Sequence, residues 1–341
     1  MHILVTGGTG YIGRVLVPEL SSKGYKVSVI DRMFLADDTV DKEYSDLGVK
    51  ICQDDIRYFD PNILRGVDAV VDLAALSNDP AGDLDPFKTW DINHIGRVRV
   101  ARLSKKAGVT RYIVASSCSV YGFQPEIVNE KSQVNPLTTY AKANIEVETD
   151  NLRLGNDAFT STALRFATAF GYSKRMRLDI AINAMTFNAY TKKKLRLMRD
   201  GLQFRPFVHV KDISRAIITV LEAEREKVNG EQFNIGSDSQ NVMLKEVAEM
   251  VRDTLNNGSE IEWYGDPDSR SYKVSFEKAK TVLNYDTKYS IEYGIKEIAE
   301  KVKTGELKET PQSKTVDFYK YLLESEKTAR KFSLSKSGIM L

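Results

Sequence analysis

The sequence predicts an α/β fold built on a doubly wound parallel sheet, with a smaller α/β cap interleaved in the second half of the chain. Two observations predict it. Short apolar runs alternate with amphipathic helical segments as far as Phe166, and several runs are nearly continuous in Val, Ile, Leu and Ala. Strands of that composition are typical of sheets covered by helices on both faces, and regular alternation with helices favours parallel pairing.

Apolar, β-branched clusters predict the strands of the large sheet. These are Ile3–Thr6, Lys26–Ile30, Lys50–Gln53, Ala69–Ala74, Arg111–Ser117 and Thr162–Phe166. Helical periodicity predicts a long helix at Pro86–Ala107. After Phe166 the pattern predicts helices at Arg175–Thr191, Asp212–Glu224, Val242–Leu255 and Val316–Lys331, and strands at Phe204–Val210, Gln232–Ile235 and Ile261–Trp263.

These elements divide the chain into a sheet domain and a cap. We predict that residues 1–172 form the sheet domain, to which segments about 204–237 return. Residues 173–203 and 238–307 then form the cap that binds substrate. Residues 308–341 form a C-terminal extension, interpreted as a surface helix or an oligomer contact without a chemical role.

The composition excludes several classes of function. Of 341 residues, 49 are Lys or Arg and 47 are Asp or Glu, so no basic excess indicates nucleic acid or a membrane surface as partner. Two cysteines, Cys52 and Cys118, exclude a disulfide scaffold, and with three histidines we expect no metal site. The N-terminus shows no signal-peptide pattern and no apolar run approaches the roughly 20 residues of a membrane span. We therefore expect a cytoplasmic protein.

A glycine loop follows the first strand directly and opens a helix. Its glycines are Gly7, Gly10 and Gly13, and Tyr11 and Ile12 lie at the helix start. Glycine allows a tight turn and a close approach to a pyrophosphate, and the helix N-terminus supplies amide donors. This arrangement is typical of a Rossmann-type dinucleotide site.

Acidic residues follow the second and third strands. Asp31 lies 18 residues after Gly13, where a carboxylate can accept both hydroxyls of the adenosine ribose. It would repel a 2′-phosphate, so NAD is favoured, although the adjacent Arg32 keeps NADP open. Asp55 and Ile56, after the third strand, are expected beside the adenine.

Further motifs accompany the glycine loop in order: Asp54–Arg57, Leu73–Ala75, Asp91–Asn93, Ser116–Gly122, Tyr140, Arg205–Asp212 and Phe233–Gly236. Over roughly residues 1–300 the chain resembles the extended short-chain dehydrogenase/reductases, and within them the nucleotide-sugar epimerase/dehydratase family typified by UDP-galactose 4-epimerase. The resemblance implies NAD as cofactor. It adds Leu73, Ala74, Ala75, Asn93, Ser116 and Tyr140 to the cofactor-binding residues.

The resemblance also implies the catalytic residues. Tyr140 matches the tyrosine that takes a proton from a sugar hydroxyl while hydride leaves the same carbon for the nicotinamide. Ser117 matches the hydroxyl that holds the reacting oxygen. In the related 4,6-dehydratases an Asp-Glu pair eliminates the C6 hydroxyl, but this chain has Cys118 and Ser119 there. We therefore expect no dehydratase activity, and we interpret Cys118 as a packing residue.

Asn144 stands where the family pattern has a lysine, four residues after Tyr140. Lys142 lies about 200° round the helix, so we expect it to point away from Tyr140. At about 5 Å and an effective dielectric near 20, a unit charge is worth about 3 kcal/mol, or roughly two pKa units on the phenol. Asn144 can bind a ribose hydroxyl but supplies no charge. Three interpretations stay open: slower redox chemistry, a lysine from elsewhere, or binding without turnover.

The substrate implied by the resemblance is a nucleotide-diphosphate sugar. Arg205 and Arg270 match diphosphate-binding arginines, whose guanidinium forks suit phosphate oxygens. The remaining substrate-binding candidates are Ser77, Asn78, Ser117, Thr168 and Asn183.

The leading hypothesis is an NAD-dependent nucleotide-sugar epimerase that acts by transient oxidation at C4 and return of hydride, with Tyr140, Ser117 and Asn144 in its active site. The alternative enzyme is an NAD(P)-dependent 4-keto-sugar nucleotide reductase or dehydrogenase. The alternative of another class, motivated by Asn144, is a non-catalytic protein that binds NAD or a sugar nucleotide. A homodimer, formed partly by the helix Thr138–Leu154, is a further implication of the resemblance.

Overall fold

The computed structural model describes residues 1–266 and 270–332. Its strands are β1 His2–Thr6, β2 Lys26–Asp31, β3 Lys50–Gln53, β4 Ala69–Asp72, β5 Arg111–Ser117, β6 Phe123–Val128, β7 Thr160–Phe166, β8 Thr168–Phe170, β9 Lys194–Met198, β10 Phe204–His209, β11 Glu231–Ile235, β12 Asn241–Met243, β13 Glu260–Tyr264 and β14 Ser271–Val274. Its helices are α1 Gly13–Ser22, α2 Val40–Asp46, α3 Asp79–Gly82, α4 Pro86–Trp90, α5 Arg97–Lys106, α6 Thr139–Leu152, α7 Ala181–Lys192, α8 Val210–Glu222, α9 Arg225–Val228, α10 Leu244–Leu255, α11 Glu277–Leu283, α12 Ile291–Lys303 and α13 Thr315–Phe332.

A seven-stranded sheet in the order β11-β7-β5-β4-β1-β2-β3 forms the centre of the fold. All of its pairings are parallel. Large apolar clusters pack on its two faces, one including Ile3 and Val5 and the other including Leu4 and Val70. The prediction of a doubly wound parallel sheet is therefore confirmed, because successive side chains of β1 are buried on opposite faces.

Smaller sheets belong to the second half of the chain. They are β12-β10-β8, β13-β9 and β14-β6. A third apolar cluster joins α7, α10 and α12 around Phe170 and Phe207. Of the segment predicted to return to the large sheet, β11 joins it beside β7, whereas β10 pairs with β8 and β12.

Two predicted helices begin or break at other places than expected. The segment predicted as one helix at Pro86–Ala107 divides into α4 and α5 around a π-helical turn at Asp91–Gly96. The helix predicted from Arg175 begins only at Ala181, because the preceding residues form a loop against the large sheet's carboxyl edge. The first difference bears on the site because a π turn changes which residues share a helix face. Within the described ranges, the helices are all too short or too polar to cross a bilayer.

Candidate active site

A cavity of about 480 Å³ lies at the carboxyl ends of the strands of the large sheet. Its wall includes the turns after β1, β2, β4, β5 and β7, the start of α6 and part of α13. The strand order places β2 and β3 on one side of β1, and β4, β5, β7 and β11 on the other. Open α/β sheets bind ligands at such a reversal of winding, so the fold itself marks this cavity.

The glycine loop joins β1 to α1 on the cavity wall. Gly7 has a φ of 67°, and a Cβ atom there would lie 2.9 Å from Cα of Ala74, so only glycine fits. The backbone amides of Tyr11 and Ile12 donate to no acceptor within the described ranges. They lie where α1 begins, and free amides at a helix N-terminus form a site for an anionic group such as a pyrophosphate.

The carboxylate of Asp31 ends β2 beside this loop and lines the cavity. It accepts hydrogen bonds from the amide of Thr9 at 3.0 Å and from the amide of Met33 at 2.8 Å. These contacts fix the orientation of the carboxylate and leave further lone pairs for two neighbouring hydroxyls. Such a carboxylate is suited to a ribose diol.

Arg32 and Asp55 form an ion pair on the same wall. Nη1 of Arg32 lies 3.3 Å from Oδ2 of Asp55, and the guanidinium lies 4.7 Å from the ring centroid of Phe34. Burial alone would raise the pKa of Asp55, but hydrogen bonds from Arg57 and the charge of Arg32 lower it below its ordinary value. Asp55 is therefore an ionised partner of two arginines, and Ile56 follows it on the cavity wall.

The turn after β4 is held from behind by Asn93. Leu73, Ala74 and Ala75 line the cavity, and Asn93 is fully buried in the π-helical turn. Oδ1 of Asn93 accepts from the amide of Leu76 at 2.8 Å, and Nδ2 donates to its carbonyl oxygen at 3.1 Å. The structure therefore corrects the role given to Asn93: its amide supports the wall instead of facing a ligand.

Tyr140 lies in the first turn of α6 and lines the cavity. Thr138 caps this helix by accepting from the amide of Ala141 at 3.2 Å. Burial raises the pKa of Tyr140, and the neighbouring polar groups of Asn144 and Ser117 oppose that rise. The structure thus places Tyr140 and Ser117 on one wall, with Asn144 close enough to Tyr140 to affect its pKa.

Lys142 is exposed to solvent, as expected for a residue on another face of the helix than Tyr140. Asn144 is 1% exposed, and its Oδ1 lies 3.4 Å from Nη1 of Arg97. Its Nδ2 has no hydrogen-bond partner in the part of the chain that the structure describes. Sequence reasoning missed Arg97, because an arginine in an amphipathic helix is ordinarily assigned to solvent.

The two neighbours of Ser117 are engaged by the scaffold. The hydroxyl of Ser116 donates to Glu148, a buried carboxylate that also accepts from Nη2 of Arg165 at 2.7 Å. Sγ of Cys118 donates to the carbonyl oxygen of Arg165 at 3.3 Å, and burial raises the pKa of the thiol. Ser116 lines the cavity with its hydroxyl turned away, and Cys118 packs behind it.

Arg205 and Arg270 meet on the substrate side of the cavity. A guanidinium nitrogen of Arg205 donates to the carbonyl oxygen of Arg270, and both residues line the cavity. Nη1 of Arg270 donates to Oδ2 of Asp79 at 2.6 Å, and the Arg205 guanidinium lies 5.5 Å from the ring centroid of Tyr272. Two guanidinium groups on one wall suit the oxygens of a diphosphate.

A buried ion pair between Arg177 and Asp179, 2.9 Å apart, forms the adjoining wall. Nη1 of Arg177 contacts Oγ of Ser77 at 3.3 Å, and Nδ2 of Asn78 donates to Asp179 at 3.3 Å. Ser77 and Asn78 therefore hold this pair while lining the cavity, and Thr168 lines it as well. Arg177 was not predicted as a site residue because it was assigned to a helix beginning at Arg175, whereas it lies in a loop.

Asn183, predicted as a substrate contact, is fully buried behind the wall. Its Oδ1 accepts from the amide of Gly171 at 3.0 Å. Its Nδ2 donates to the hydroxyl of Tyr11 at 3.2 Å and to the carbonyl oxygen of Arg177 at 3.1 Å. The structure corrects this assignment, because both amide groups of Asn183 are engaged in holding the scaffold.

The C-terminal helix α13 forms part of the cavity wall. Tyr319 and Leu323, one turn apart, line the cavity. Nη2 of Arg175 donates to Oγ1 of Thr315 at 2.8 Å, which fixes the start of the helix. From the sequence this segment was interpreted as a surface helix or an oligomer contact, although an aromatic and an aliphatic residue at i and i+4 are a signal of a packed face.

Comparison with known proteins decides the family. Residues 3–236 match the NAD dependent epimerase/dehydratase family. The chain belongs to this family. The resemblance drawn from the ordered motifs is thereby confirmed, and the chain is an enzyme of the NAD-dependent epimerase/dehydratase family.

Relatives in this family differ in the reaction that their names state. UDP-glucuronic acid decarboxylase 1 of Arabidopsis thaliana is 29% identical over 309 residues, which cover 86% of this chain and 68% of that protein. For decarboxylase 2 of the same plant, the chain spans 66% of the length. UDP-glucose 4-epimerase of Lactobacillus helveticus is 27% identical over 317 residues, covering 85% of this chain and 93% of that protein.

Among solved structures, MoeE5 in complex with UDP-glucuronic acid and NAD has a TM-score of 0.80 at 26% identity. The match covers 89% of this chain and 100% of the MoeE5 chain. Structural relatives of this family therefore bind NAD and UDP-sugars. Because the named reactions differ, the reaction of this chain is inferred from the residues that line its cavity.

Proposed function

We propose that this chain is an NAD-dependent nucleotide-sugar epimerase that oxidises its sugar transiently at C4 and reverses the oxidation on the opposite face. The observation that carries the proposal is that Tyr140 and Ser117 line the same cavity, with Asn144 buried beside Tyr140. An epimerase of this kind needs one group that takes and returns a single proton, and a phenol does so. The positions of Cys118 and Ser119 offer no carboxylate for eliminating a C6 hydroxyl.

In the proposed reaction the phenolate of Tyr140 takes the proton of the C4 hydroxyl, while the Ser117 hydroxyl hydrogen-bonds the same oxygen. Bound NAD would supply the acceptor for the C4 hydride and the donor for its return to the other face, so there would be no net oxidation. Tyr140 then returns its proton to the C4 oxygen and becomes a phenolate again. Burial disfavours this phenolate, so the donors and charges around it set how much exists at neutral pH.

The residues of the wall fit NAD. Nδ2 of Asn144 is a buried donor that has no acceptor in the described chain, and a ribose hydroxyl is an acceptor of the right kind. The amides of Tyr11 and Ile12 suit the pyrophosphate, and Asp31 suits the adenosine ribose. NAD is favoured over NADP because a 2′-phosphate would face Asp31, whereas the ion pair with Asp55 engages Arg32.

The substrate class that the cavity favours is a nucleotide-diphosphate sugar. Arg205 and Arg270 offer cations for the diphosphate, and Ser77, Asn78 and Thr168 line the same cavity as Tyr140. MoeE5, which shares the fold, binds UDP-glucuronic acid and NAD, and this supports the class without selecting the sugar.

The test is incubation of the purified protein with UDP-glucose, UDP-galactose and UDP-glucuronic acid, followed by NMR of the sugar and absorbance of NADH. We expect inversion at C4 with no net NADH and no need for added cofactor. Net reduction or oxidation of nicotinamide would identify the reductase or dehydrogenase instead. Release of carbon dioxide would identify a decarboxylase, and NAD binding with no change in any sugar would identify a non-catalytic protein.

The homodimer and the cytoplasmic location stay predictions. The helix expected to form the dimer contact is α6, next to α5, where Ile95 in the preceding turn is 59% exposed. Light scattering of the purified chain tests the dimer, and cell fractionation tests the location.

A further inference from the structure

Behind Asn144 lies a buried arginine. Arg97 and Asn144 are each 1% exposed, and Nη1 of Arg97 is 3.4 Å from Oδ1 of Asn144. A guanidinium only donates hydrogen bonds, so the amide atom that faces Arg97 must be the oxygen. Nδ2 of Asn144 consequently points away from Arg97 and has no hydrogen-bond partner among the described residues, and the amide lowers the pKa of the neighbouring Tyr140.

The rest of Arg97 is fixed by the ends of two strands. Nε donates to Oδ2 of Asp72 at 3.0 Å, and Nη2 donates to the carbonyl oxygens of Asp72 at 3.1 Å and Ala115 at 2.5 Å. Asp72 is fully buried and also accepts from the hydroxyl of Tyr112 at 2.7 Å. The pair is therefore oriented, with its positive end toward Asn144 and its negative end held by further donors.

Stability alone does not account for this pair. Taking two charges out of water costs most of what their attraction returns, and apolar residues of similar volume often serve a core as well. An effect on the active site does account for it. Burial raises the pKa of Tyr140, and the amide of Asn144 and the charge of Arg97 oppose that rise, whereas Asp79 adds to it.

We propose that Arg97 is a positioning residue that acts through Asn144. It orients the Asn144 amide so that the NH2 group faces the Tyr140 hydroxyl and the ribose of the cofactor, and its charge stabilises the Tyr140 phenolate. Arg97 on α5 and Asn144 on α6 together replace the single lysine of the family pattern. This inference rests on the proposed function, because the phenolate matters when Tyr140 exchanges a proton with a sugar.

The experiment removes the charge without leaving its partner unpaired. The double variant Arg97→Met/Asp72→Asn makes both members of the pair neutral at similar volume, and Asn144→Lys is then made in the wild type and in the double variant. Circular dichroism and thermal unfolding establish that each protein is folded. The titration of Tyr140 is read in the NAD complex as the ultraviolet difference between each protein and its Tyr140→Phe counterpart, which requires no turnover.

We expect the double variant to raise the pKa of Tyr140 and to lower the amount of phenolate at neutral pH by about tenfold. Asn144→Lys in the double variant is expected to restore the lower pKa and the affinity for NAD. In the wild type the same substitution places a second cation beside Arg97, so we expect weaker NAD binding there. If Arg97 had a purely structural role, Asn144→Lys would change NAD affinity in the same direction in the wild type and in the double variant.

Two results overturn the inference. One is an unchanged Tyr140 titration in the folded double variant, and the other is the same effect of Asn144→Lys in both backgrounds. The other charged groups near the tyrosine, Asp79, Asp83 and Arg177, are the same in every variant and do not produce a difference. This test is independent of the epimerase proposal. The titration of Tyr140 can give the expected result even in a protein that converts no sugar.

Discussion

Lys88 and Glu326 form an ion pair at 3.1 Å that fastens the C-terminal helix α13 to α4. The Glu326 side chain is 6% exposed, so the pair is largely shielded from solvent. Two turns earlier on α13, Tyr319 lines the cavity, where burial raises its pKa and the charges of Arg175 and Arg177 oppose that rise. The helix is thus fixed at a point from which it covers part of the cavity.

This arrangement predicts that α13 retains the cofactor. Replacing Tyr319 by Ala opens the wall and removes buried apolar area worth about 1.5 to 3 kcal/mol, so we expect NADH to dissociate at least about tenfold faster. Stopped-flow fluorescence of bound NADH measures the rate. Tyr321, on the same helix, is 61% exposed, and Tyr321→Ala is the matched control. Equal rates for both variants would show that the helix only packs against the cavity.

Local spacing made part of the site predictable. The glycine loop and Asp31 depend on residues close in sequence, and the sheet brings them together in any doubly wound fold. Arg97 was not predictable, since the π-helical turn at Asp91–Gly96 inserts into the expected helix and changes which face Arg97 occupies. Tyr319 was missed for another reason. Its position on the cavity wall depends on the path of the chain after the cap, and helical periodicity does not predict that path.

The Tyr140→Phe substitution tests the assigned acid and base. Removing the phenolic oxygen is expected to lower kcat by about 100-fold or more, while the fold and NAD binding persist, because general acid–base catalysis contributes about that much. NMR assays of epimerisation and a separate NAD titration measure the two effects. Lys142→Met is the control on the same helix: Lys142 is exposed, so activity is expected to stay unchanged. Full activity of the phenylalanine variant would contradict the mechanism.

Glu297 predicts how stability depends on pH at the acid end. Burial would raise the pKa of Glu297, but hydrogen bonds from His209, Lys211 and the amide of Tyr172 lower it from 4.5 to about 2. The folded state therefore gains stability above the unfolded pKa and loses it as pH falls from about 4.5 toward about 2. Urea unfolding over this range should show a smaller loss in Glu297→Gln than in the wild type.

The control for that prediction lies on the same helix. Glu300 is 60% exposed and contacts only Lys303 at 3.5 Å among its described neighbours, so Glu300→Gln should leave the acid dependence as it is. The same slope in the wild type and in Glu297→Gln would mean that the hydrogen bonds of Glu297 persist when it is protonated.

Asp31 and Arg32 predict the choice of cofactor. The carboxylate of Asp31 is fixed by amides of Thr9 and Met33, and we place it against the adenosine ribose. In Asp31→Ala we expect NAD affinity to fall about tenfold, since two charge-assisted hydrogen bonds are lost, and NADP affinity to rise because the repulsion is gone. Isothermal titration with both cofactors measures this exchange. Arg32→Ala should change NADP affinity little in the wild type, because Arg32 pairs with Asp55 there; a strong loss would mean that Arg32 already serves a 2′-phosphate.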